Sequence, residues 1–257
     1  MLYQSIHYIK FLLKSTNQHG VHSPFVYNLV TKCFYDKTKY EAYKSILDYK
    51  KALLKNNTEI KVTDLGAGSQ VMKHQKRRVS NMAKNAGTTT NRAKLFYRLT
   101  KYFKPENALE LGTSLGIATY AMSLGNPKPN ITTIEGCPNI AALSKDNFLK
   151  NKAENISVII GNFNDEIHKL TSNTYDLIFF DGNHQKEATL HYFETLLKTT
   201  DNNSVFIFDD IYWSKGMTET WETIKKHPKV TVTIDTFFWG FVFFRKEQVK
   251  EHFIIRV

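Results

Sequence analysis

The chain has 257 residues, of which 35 are Lys or Arg and 24 are Asp or Glu, so its formal net charge is +11. Hydrophobic residues make up 42% of the chain, which is enough for a packed core. No apolar run approaches the ~18–20 residues that a membrane span needs, and two cysteines are too few for a disulfide framework or a zinc site. The first residues lack the pattern of a signal peptide, so we expect a cytoplasmic protein without a membrane partner.

The positive charge is concentrated in the first part of the chain. Residues 1–105 carry 20 basic and 5 acidic side chains, whereas residues 106–257 carry 15 and 19. One interpretation is a solvated, lysine-rich helical surface; the other is attraction for an anionic partner, such as nucleic acid or a phosphorylated or CoA-linked substrate. We predict a basic, mainly helical region at residues 1–90, on the substrate side, and a second domain at residues 91–257.

Apolar spacing predicts four helices before residue 105. Ser23-Pro24 is typical of an N-cap followed by proline at the first helical position, and Pro105 ends the fourth helix. The four helices are expected at about residues 2–13, 25–34, 43–54 and 93–103.

Taken alone, the glycine-rich stretch at residues 62–69 looks like a nucleotide-binding loop, but the residues that follow it do not fit this interpretation. The basic run at residues 73–78 follows it, in place of a small, apolar helix, and no strand ending in an acidic residue comes next. We interpret this stretch as a strand end and a mobile loop. The alternative is a lid whose Arg77 or Arg78 touches a substrate.

From residue 107 onward, strand and helix patterns alternate. Strands are predicted at residues 107–112, 131–135, 156–161, 175–181 and 204–209, and helices at 116–124, 138–151, 164–171, 185–199 and 216–226. Two final strands, 230–237 and 240–245, are too close for a parallel crossover and must form a hairpin. The pattern predicts a doubly wound α/β fold, Rossmann-like, whose mostly parallel seven-stranded sheet ends in an antiparallel hairpin and is preceded by a helical N-terminal extension.

The turn after the first of these strands carries the clearest functional signal. Gly112 and Gly116 allow a sharp turn that a ligand can approach closely, and Glu135 ends the next strand at the spacing that suits the ribose hydroxyls of a nucleotide. Ser114 replaces the middle glycine of a dinucleotide motif, and Glu110 precedes the loop. A pyrophosphate has no use for that carboxylate, whereas the ammonium of an amino-acid moiety does.

These residues resemble the class I S-adenosylmethionine (SAM)-dependent methyltransferases, whose first motif reads E/D-x-G-x-x-x-G. The resemblance implies that Glu110 lies near the methionine portion, Glu135 binds the ribose, and Asn162 and Phe163 contact adenine, although a helix-capping turn also explains the last two. The cofactor-binding residues expected from it are Glu110, Gly112, Thr113, Ser114, Gly116, Glu135, Gly136, Asn162, Phe163 and Asp181.

Three carboxylates follow two neighbouring strands of the predicted sheet. Asp181 ends one strand, and Asp209 and Asp210 end the next, so their like charges would repel unless a cation such as Mg²⁺ or Ca²⁺ binds them. This resembles the catechol and caffeoyl-CoA O-methyltransferases, where an Asp and an Asp-Asn pair occupy these strand ends. Asp210 stands in place of the Asn. We predict Asp181, Asp209 and Asp210 as ligands of a metal ion. The alternative is that these residues only form hydrogen bonds and no metal binds.

His184 follows Asp181 by three residues, where the metal-dependent relatives carry a lysine as general base. An imidazole accepts a proton at neutral pH, so we predict His184 and Asp181 as the catalytic pair. The alternative is that His184 caps the next helix or touches the cofactor.

The favoured function is SAM-dependent O-methylation of a small-molecule hydroxyl with divalent-metal assistance. An anionic acceptor would suit the basic region, and we allow for a homodimer. The alternatives are an RNA or tRNA methyltransferase, which is less favoured because the motifs of base methylation are absent, and a non-catalytic cofactor-binding protein.

Overall fold

The computed structural model describes residues 2–63, 75–85, 87–128 and 130–257. It contains two compact units: a central unit of residues 36–166, and a terminal unit that combines residues 1–35 with 167–257. Residues 64–74, which hold most of the glycine-rich stretch and the start of the basic run, lie outside the described residues. The boundaries of these units fall after residues 35 and 166, whereas the sequence analysis placed a boundary after residue 90. The assignment of residues 1–90 to the substrate side stays a prediction.

The four helices predicted before residue 105 are present, with a short additional helix between the third and the fourth. The helices are α1 (Leu2–Lys14), α2 (Pro24–Leu29), α3 (Ala42–Lys55), α4 (Val79–Asn85), α5 (Thr90–Phe103), α6 (Ile117–Gly125), α7 (Pro138–Lys150), α8 (Phe163–Glu166), α9 (Lys186–Leu196) and α10 (Lys215–Lys226). A π-helical turn, Val30–Phe34, continues α2, and the Ser23 side chain caps α2 as predicted.

Ten strands are present among the described residues, and eight of them form one mostly parallel sheet. The strands are β1 (Glu59–Lys61), β2 (Lys76–Arg78), β3 (Asn107–Leu111), β4 (Asn130–Glu135), β5 (Ile156–Ile160), β6 (Leu177–Phe180), β7 (Val205–Asp209), β8 (Val232–Asp235), β9 (Trp239–Phe243) and β10 (Glu251–Ile254). β1 and β2 pair separately as a short antiparallel ladder. The predicted α/β fold is confirmed.

The central unit holds β3, β4 and β5 side by side. β4 pairs in parallel with β3, with Leu109 opposite Thr132, and with β5, with Ile131 opposite Ile156. Strand β3 is buried from Ala108 to its end, as expected for a strand covered on both faces. Because the three strands are parallel, the loop after β3 and the end of β4 lie at the same edge.

The terminal unit holds β6 and β7 in parallel, with Phe180 opposite Phe208. β9 runs antiparallel to both β7 and β8, so the predicted C-terminal hairpin is confirmed. The parallel pairing places the residues after β6 and the last residue of β7 at one edge of this unit's strands.

The main sheet has eight strands, one more than the seven predicted. The additional strand, β10, pairs in parallel with β8 at the border of the sheet, and the backbone of Thr16 bridges to Ile255 beside it. Only Phe253 of this four-residue strand is buried, and the strand begins with the charged Glu251. Such a short and half-exposed segment has no clear alternation of polar and apolar residues, which is why the sequence did not reveal it.

Helix α1 is attached to the same unit along one face. The Tyr3 hydroxyl donates to Thr218 Oγ1 over 2.9 Å, and the rings of Phe11 and Phe237 are 5.6 Å apart. Among the described residues, no helix combines the length and apolarity needed to cross a membrane.

Candidate functional sites

The loop after β3 has an unusual backbone. Gly112, Ser114 and Gly116 all have positive φ angles, of 109°, 48° and 72°. The N–H groups of Gly112 and Thr113 both donate to the Ile134 carbonyl, which ties the loop to β4. A Cβ atom at Gly116 would overlap the Phe148 ring, so this position requires glycine for space as well as for conformation.

Glu135 holds the loop from the end of β4. One carboxylate oxygen accepts the Ser114 N–H over 2.9 Å, and the other accepts the Cys137 N–H over 2.9 Å. An ionised carboxylate offers about four acceptor positions, so the half-exposed Glu135 can still accept hydroxyl groups of a ligand. Glu135, the residue predicted to bind ribose, is therefore fixed in position by the backbone N–H groups of Ser114 and Cys137.

Glu110 lies beneath the loop and is fully buried. Its Oε2 accepts hydrogen bonds from the hydroxyls of Thr119, over 2.5 Å, and Thr133, over 2.6 Å. Its Oε1 accepts none from any described residue. Burial raises the pKa of Glu110 to about 7, the two threonine hydrogen bonds oppose this rise, and the charge of Glu135 adds to it.

A buried carboxylate with one oxygen unsatisfied is costly when ionised, and a nearby positive charge would favour the ionised form. The cationic end of an amino-acid-bearing cofactor would supply that charge. The charge of Glu110 and its position below the loop therefore fit its predicted role near the methionine portion of the cofactor.

Several residues that support this loop escaped the sequence analysis. The Ser144 hydroxyl donates to the Ser114 carbonyl over 2.6 Å, and the Tyr49 hydroxyl donates to the Leu115 carbonyl over 2.9 Å. Thr113, predicted as a cofactor contact, is buried, and its hydroxyl pairs with Thr133 over 2.6 Å. Its hydroxyl is therefore engaged within the protein, and a cofactor contact of Thr113 stays a prediction. No local sequence signal marks these contacts, because each joins segments distant in the chain.

The residues after β5 form a capping turn. The Asn162 side-chain oxygen accepts the Asn164 N–H over 2.9 Å, and its carbonyl accepts the N–H groups of Asp165 and Glu166. Asn162 therefore begins α8, which was the alternative reading of this residue. Its neighbour Phe163 is half-exposed, like Gly136 after β4, so both remain accessible for a ligand.

In the terminal unit, the strand ends after β6 and β7 bring three side chains together. One ligand atom from each of Asp181, His184 and Asp209 lies within 4.8 Å of the others. Asp209 is buried, and the side chains of Asp181 and His184 are 23% and 22% exposed, so the cluster is reachable from solvent. We call these three residues the acidic cluster.

Asp210 does not join this cluster. Its backbone adopts a φ of 53°, and its N–H donates to the Phe238 carbonyl over 2.8 Å. The third group able to hold a cation is therefore His184 and not Asp210. Asn183, just before His184, also has a positive φ, of 50°, and both departures alter the direction of the chain beside the cluster.

His184 is close to Asp181 but not hydrogen-bonded to it. The His184 Nε2 atom and Asp181 Oδ1 are 4.0 Å apart. Burial lowers the pKa of His184 below its usual value, against the opposing attraction of Asp209, so the imidazole is neutral at neutral pH. A neutral imidazole can accept a proton or ligate a metal. The helix-capping alternative is excluded, because the N-cap of α9 is Gln185.

Comparison with known proteins agrees with this geometry. Residues 109–211 match the family model described as Methyltransferase domain. Within this segment the chain is similar to methyltransferase domains. The matched segment begins in β3 and ends just beyond Asp210, so it covers both the glycine loop and the acidic cluster.

The domain has relatives at low identity. A curated catechol O-methyltransferase from Mycobacterium tuberculosis is 23% identical over 131 residues, which are 50% of this chain and 59% of that protein. The chain thus matches less than two thirds of that relative's length.

Solved methyltransferases share the fold. An SAH-bound methyltransferase from Podospora anserina, PaMTH1, superimposes with a TM-score of 0.60 at 14% identity, covering 88% of this chain and 97% of that one. An O-methyltransferase from Bacillus cereus in complex with SAH gives a TM-score of 0.54 at 19% identity, covering 80% and 90%. At these identities the likeness shows the fold alone.

Proposed function

We propose that this chain is a SAM-dependent O-methyltransferase acting on a small-molecule hydroxyl. The main support for the proposal is the group formed by Glu110, the loop with positive φ angles and Glu135. A loop of this shape with two carboxylates suits a cofactor that carries both a ribose and a cationic amino acid. The O-methyltransferases among its relatives support the type of acceptor.

In this proposal the central unit recognises the cofactor. Glu135 accepts the ribose hydroxyls, the backbone of Gly112–Gly116 permits close approach, and the buried charge of Glu110 attracts the cationic end. Phe163 packs against the adenine ring. When bound, SAM supplies a methyl group on a positively charged sulfur, and the ammonium of its amino-acid moiety favours the ionised form of Glu110.

The acidic cluster serves the acceptor. Without a metal, neutral His184 accepts the hydroxyl proton while Asp181 and Asp209 stabilise the imidazolium that forms. The same three residues also fit a divalent cation, because two carboxylates and one imidazole provide three donors within reach of one ion. A bound cation would lower the pKa of a coordinated hydroxyl. His184 would then be a ligand, and Asp210 would not.

The first experiment is calorimetric binding of SAH, performed with Mg²⁺, with Mn²⁺ and with EDTA. Binding under all three conditions supports the cofactor site, and additional metal heat supports the role of the acidic cluster. Absence of SAH binding under every condition would contradict the proposal. The metal alone should be titrated as well, so that failure of one site does not obscure the other.

The acceptor is sought with labelled cofactor and a panel of catechols, acidic glycans and acyl-CoA esters. Methyl transfer to one of these classes would identify the substrate chemistry. RNA belongs in the same panel, because the positive charge of residues 1–105 motivates an RNA methyltransferase as the second candidate. Binding to RNA that weakens steeply with salt, together with methyl transfer to it, would favour that candidate.

A further inference from the structure

Helix α1 has an exposed apolar face that nothing in the proposed chemistry uses. Six of its 13 residues are exposed, large and apolar. They are Leu2 (77% exposed), Ile6 (44%), Tyr8 (42%), Ile9 (59%), Leu12 (38%) and Leu13 (82%). Thirteen exposed large apolar side chains occur among the described residues, so one short helix carries nearly half of them.

The most apolar part of this face is a straight stripe. Leu2, Ile6, Ile9 and Leu13 follow the i, i+4, i+7, i+11 spacing that places side chains above one another along a helix. The stripe lies opposite the face that attaches α1 to the protein, where Tyr3 bonds to Thr218 and Phe11 packs on Phe237. The helix is thus held firmly while its apolar stripe points to solvent.

Positive charge borders the stripe. Lys10 and Lys14 are exposed on α1, and the Arg256 guanidinium donates to the Ser15 carbonyl at the end of the helix over 3.3 Å. No acidic residue occurs in the chain before Asp36. An apolar face with a basic border, on a segment without acidic residues, is the pattern of helices that lie in the interface of an anionic membrane.

A second copy of the chain fits this face less well. Two copies joined through α1 would bring their lysines together without a carboxylate on the helix to pair with them. A helix of this length is roughly 20 Å long, and its stripe covers on the order of a few hundred Å². Stable protein interfaces bury about 1,200 Å² or more.

We propose that α1 docks on the surface of an anionic lipid bilayer, with Leu2, Ile6, Ile9 and Leu13 inserted among the acyl chains and Lys10, Lys14 and Arg256 among the headgroups. Such a helix lies flat, so docking needs no membrane-spanning segment. A single short helix gives reversible binding, since stable anchoring takes two independent signals. This inference does not depend on the methyl-transfer chemistry.

The test is co-sedimentation of the full chain with vesicles of phosphatidylcholine mixed with phosphatidylglycerol, compared with vesicles of phosphatidylcholine alone. We expect binding to the anionic vesicles, weaker binding to the neutral ones, and a loss of binding as salt is added. The double variant Ile9→Gln/Leu13→Gln should bind at least about tenfold more weakly. Leu149→Gln, which changes a leucine on α7 that is 73% exposed, is the matched control and should bind like the wild type.

A second variant, Lys10→Glu/Lys14→Glu, tests the charged border and leaves the stripe intact. It should lose binding to the anionic vesicles, and Lys198→Glu, at an exposed site on another part of the same unit, should not. Thermal unfolding and SAH binding should be unchanged in every variant, which separates docking from folding and from cofactor recognition. Equal vesicle binding by the stripe variant and the wild type, or no binding by the wild type, would overturn the proposal. A wild-type dimer that the stripe variant dissociates would assign the face to a second copy instead.

Discussion

The carboxylates of the two units differ in what holds them. In the central unit, Glu135 accepts two backbone N–H groups, and Glu110 accepts two threonine hydroxyls from within the protein. In the terminal unit, Asp181 and Asp209 lie beside a neutral imidazole, and their ligand atoms are within 4.8 Å of it. The first pair accepts hydrogen bonds from the loop and from neighbouring threonines, whereas the second lies with an imidazole in an arrangement that fits a cation.

This difference matches two tasks. A cofactor of fixed shape is best recognised by groups whose positions are set before it arrives, because less order must be created on binding. Proton transfer instead requires a group whose charge changes during the reaction, and metal binding requires ligands that offset the charge of the cation. Four experiments test whether the two units really divide the work in this way.

The largest effect is expected for Asp209→Asn, which keeps the shape and removes a charge from the acidic cluster. With an acceptor that supports turnover, the rate should fall about 100- to 1,000-fold, and metal binding should weaken, while SAH affinity stays within about twofold of the wild type. Asp210→Asn is the matched control, since Asp210 lies outside the cluster. A loss of rate in Asp210→Asn as large as in Asp209→Asn would show that the ligand set is wrong.

Glu110 predicts a pH dependence of stability in the protein without cofactor. Its pKa is raised from 4.5 to about 7 in the fold, so the folded state retains the proton that the unfolded chain releases. The stability that this gives is complete below pH 4.5 and is lost as the pH rises to about 7, a change on the order of 3 kcal/mol. Chemical unfolding across this range should show that Glu110→Gln removes most of the slope. An unchanged slope would mean that Glu110 is ionised throughout.

Glu135→Ala should weaken SAH binding about 30-fold, because two hydrogen bonds to the ribose and the support of the Ser114 N–H are lost together. Titration calorimetry measures this change. Glu154→Ala removes an exposed carboxylate from the same unit and should leave the affinity unchanged. If both variants bind SAH equally well, the ribose assignment fails.

The smallest effect is expected for Tyr49→Phe, which deletes only the hydroxyl that donates to the Leu115 carbonyl. Loss of one buried hydrogen bond should cost about 1 kcal/mol of stability and weaken SAH binding a few-fold. Thermal unfolding and calorimetry with the wild type as reference measure both. Tyr43→Phe, on the same helix and away from the loop, should not change SAH affinity.

The sequence predicted the parts of the candidate cofactor site that depend on local pattern. Gly112, Gly116 and Glu135 were named because a turn and a strand end leave a pattern within a few residues. Thr133 was missed because it lies opposite Glu110 only once β3 and β4 are paired in register. Thr119 was missed because it contacts Glu110 only once helix α6 has folded back beside β3.

The acidic cluster was predicted less completely, and the reason is the backbone. Asp181 and Asp209 were named from their strand ends, and their clustering follows from the parallel pairing of β6 and β7. Whether His184 or Asp210 joins them depends on the positive φ angles at Asn183 and Asp210. Neither residue type requires such a conformation, so the sequence cannot reveal which side chain turns inward.

The pairing of Thr16 and β10 beside β8 has a consequence for handling the protein. All four residues of β8 are buried, and its outer hydrogen-bonding groups are satisfied by β10. Removal of residues 250–257 would leave these groups unpaired on a newly exposed strand, which is a template for edge-to-edge aggregation. Truncation at the carboxyl end should therefore yield insoluble protein, although the deleted residues include no part of either candidate site.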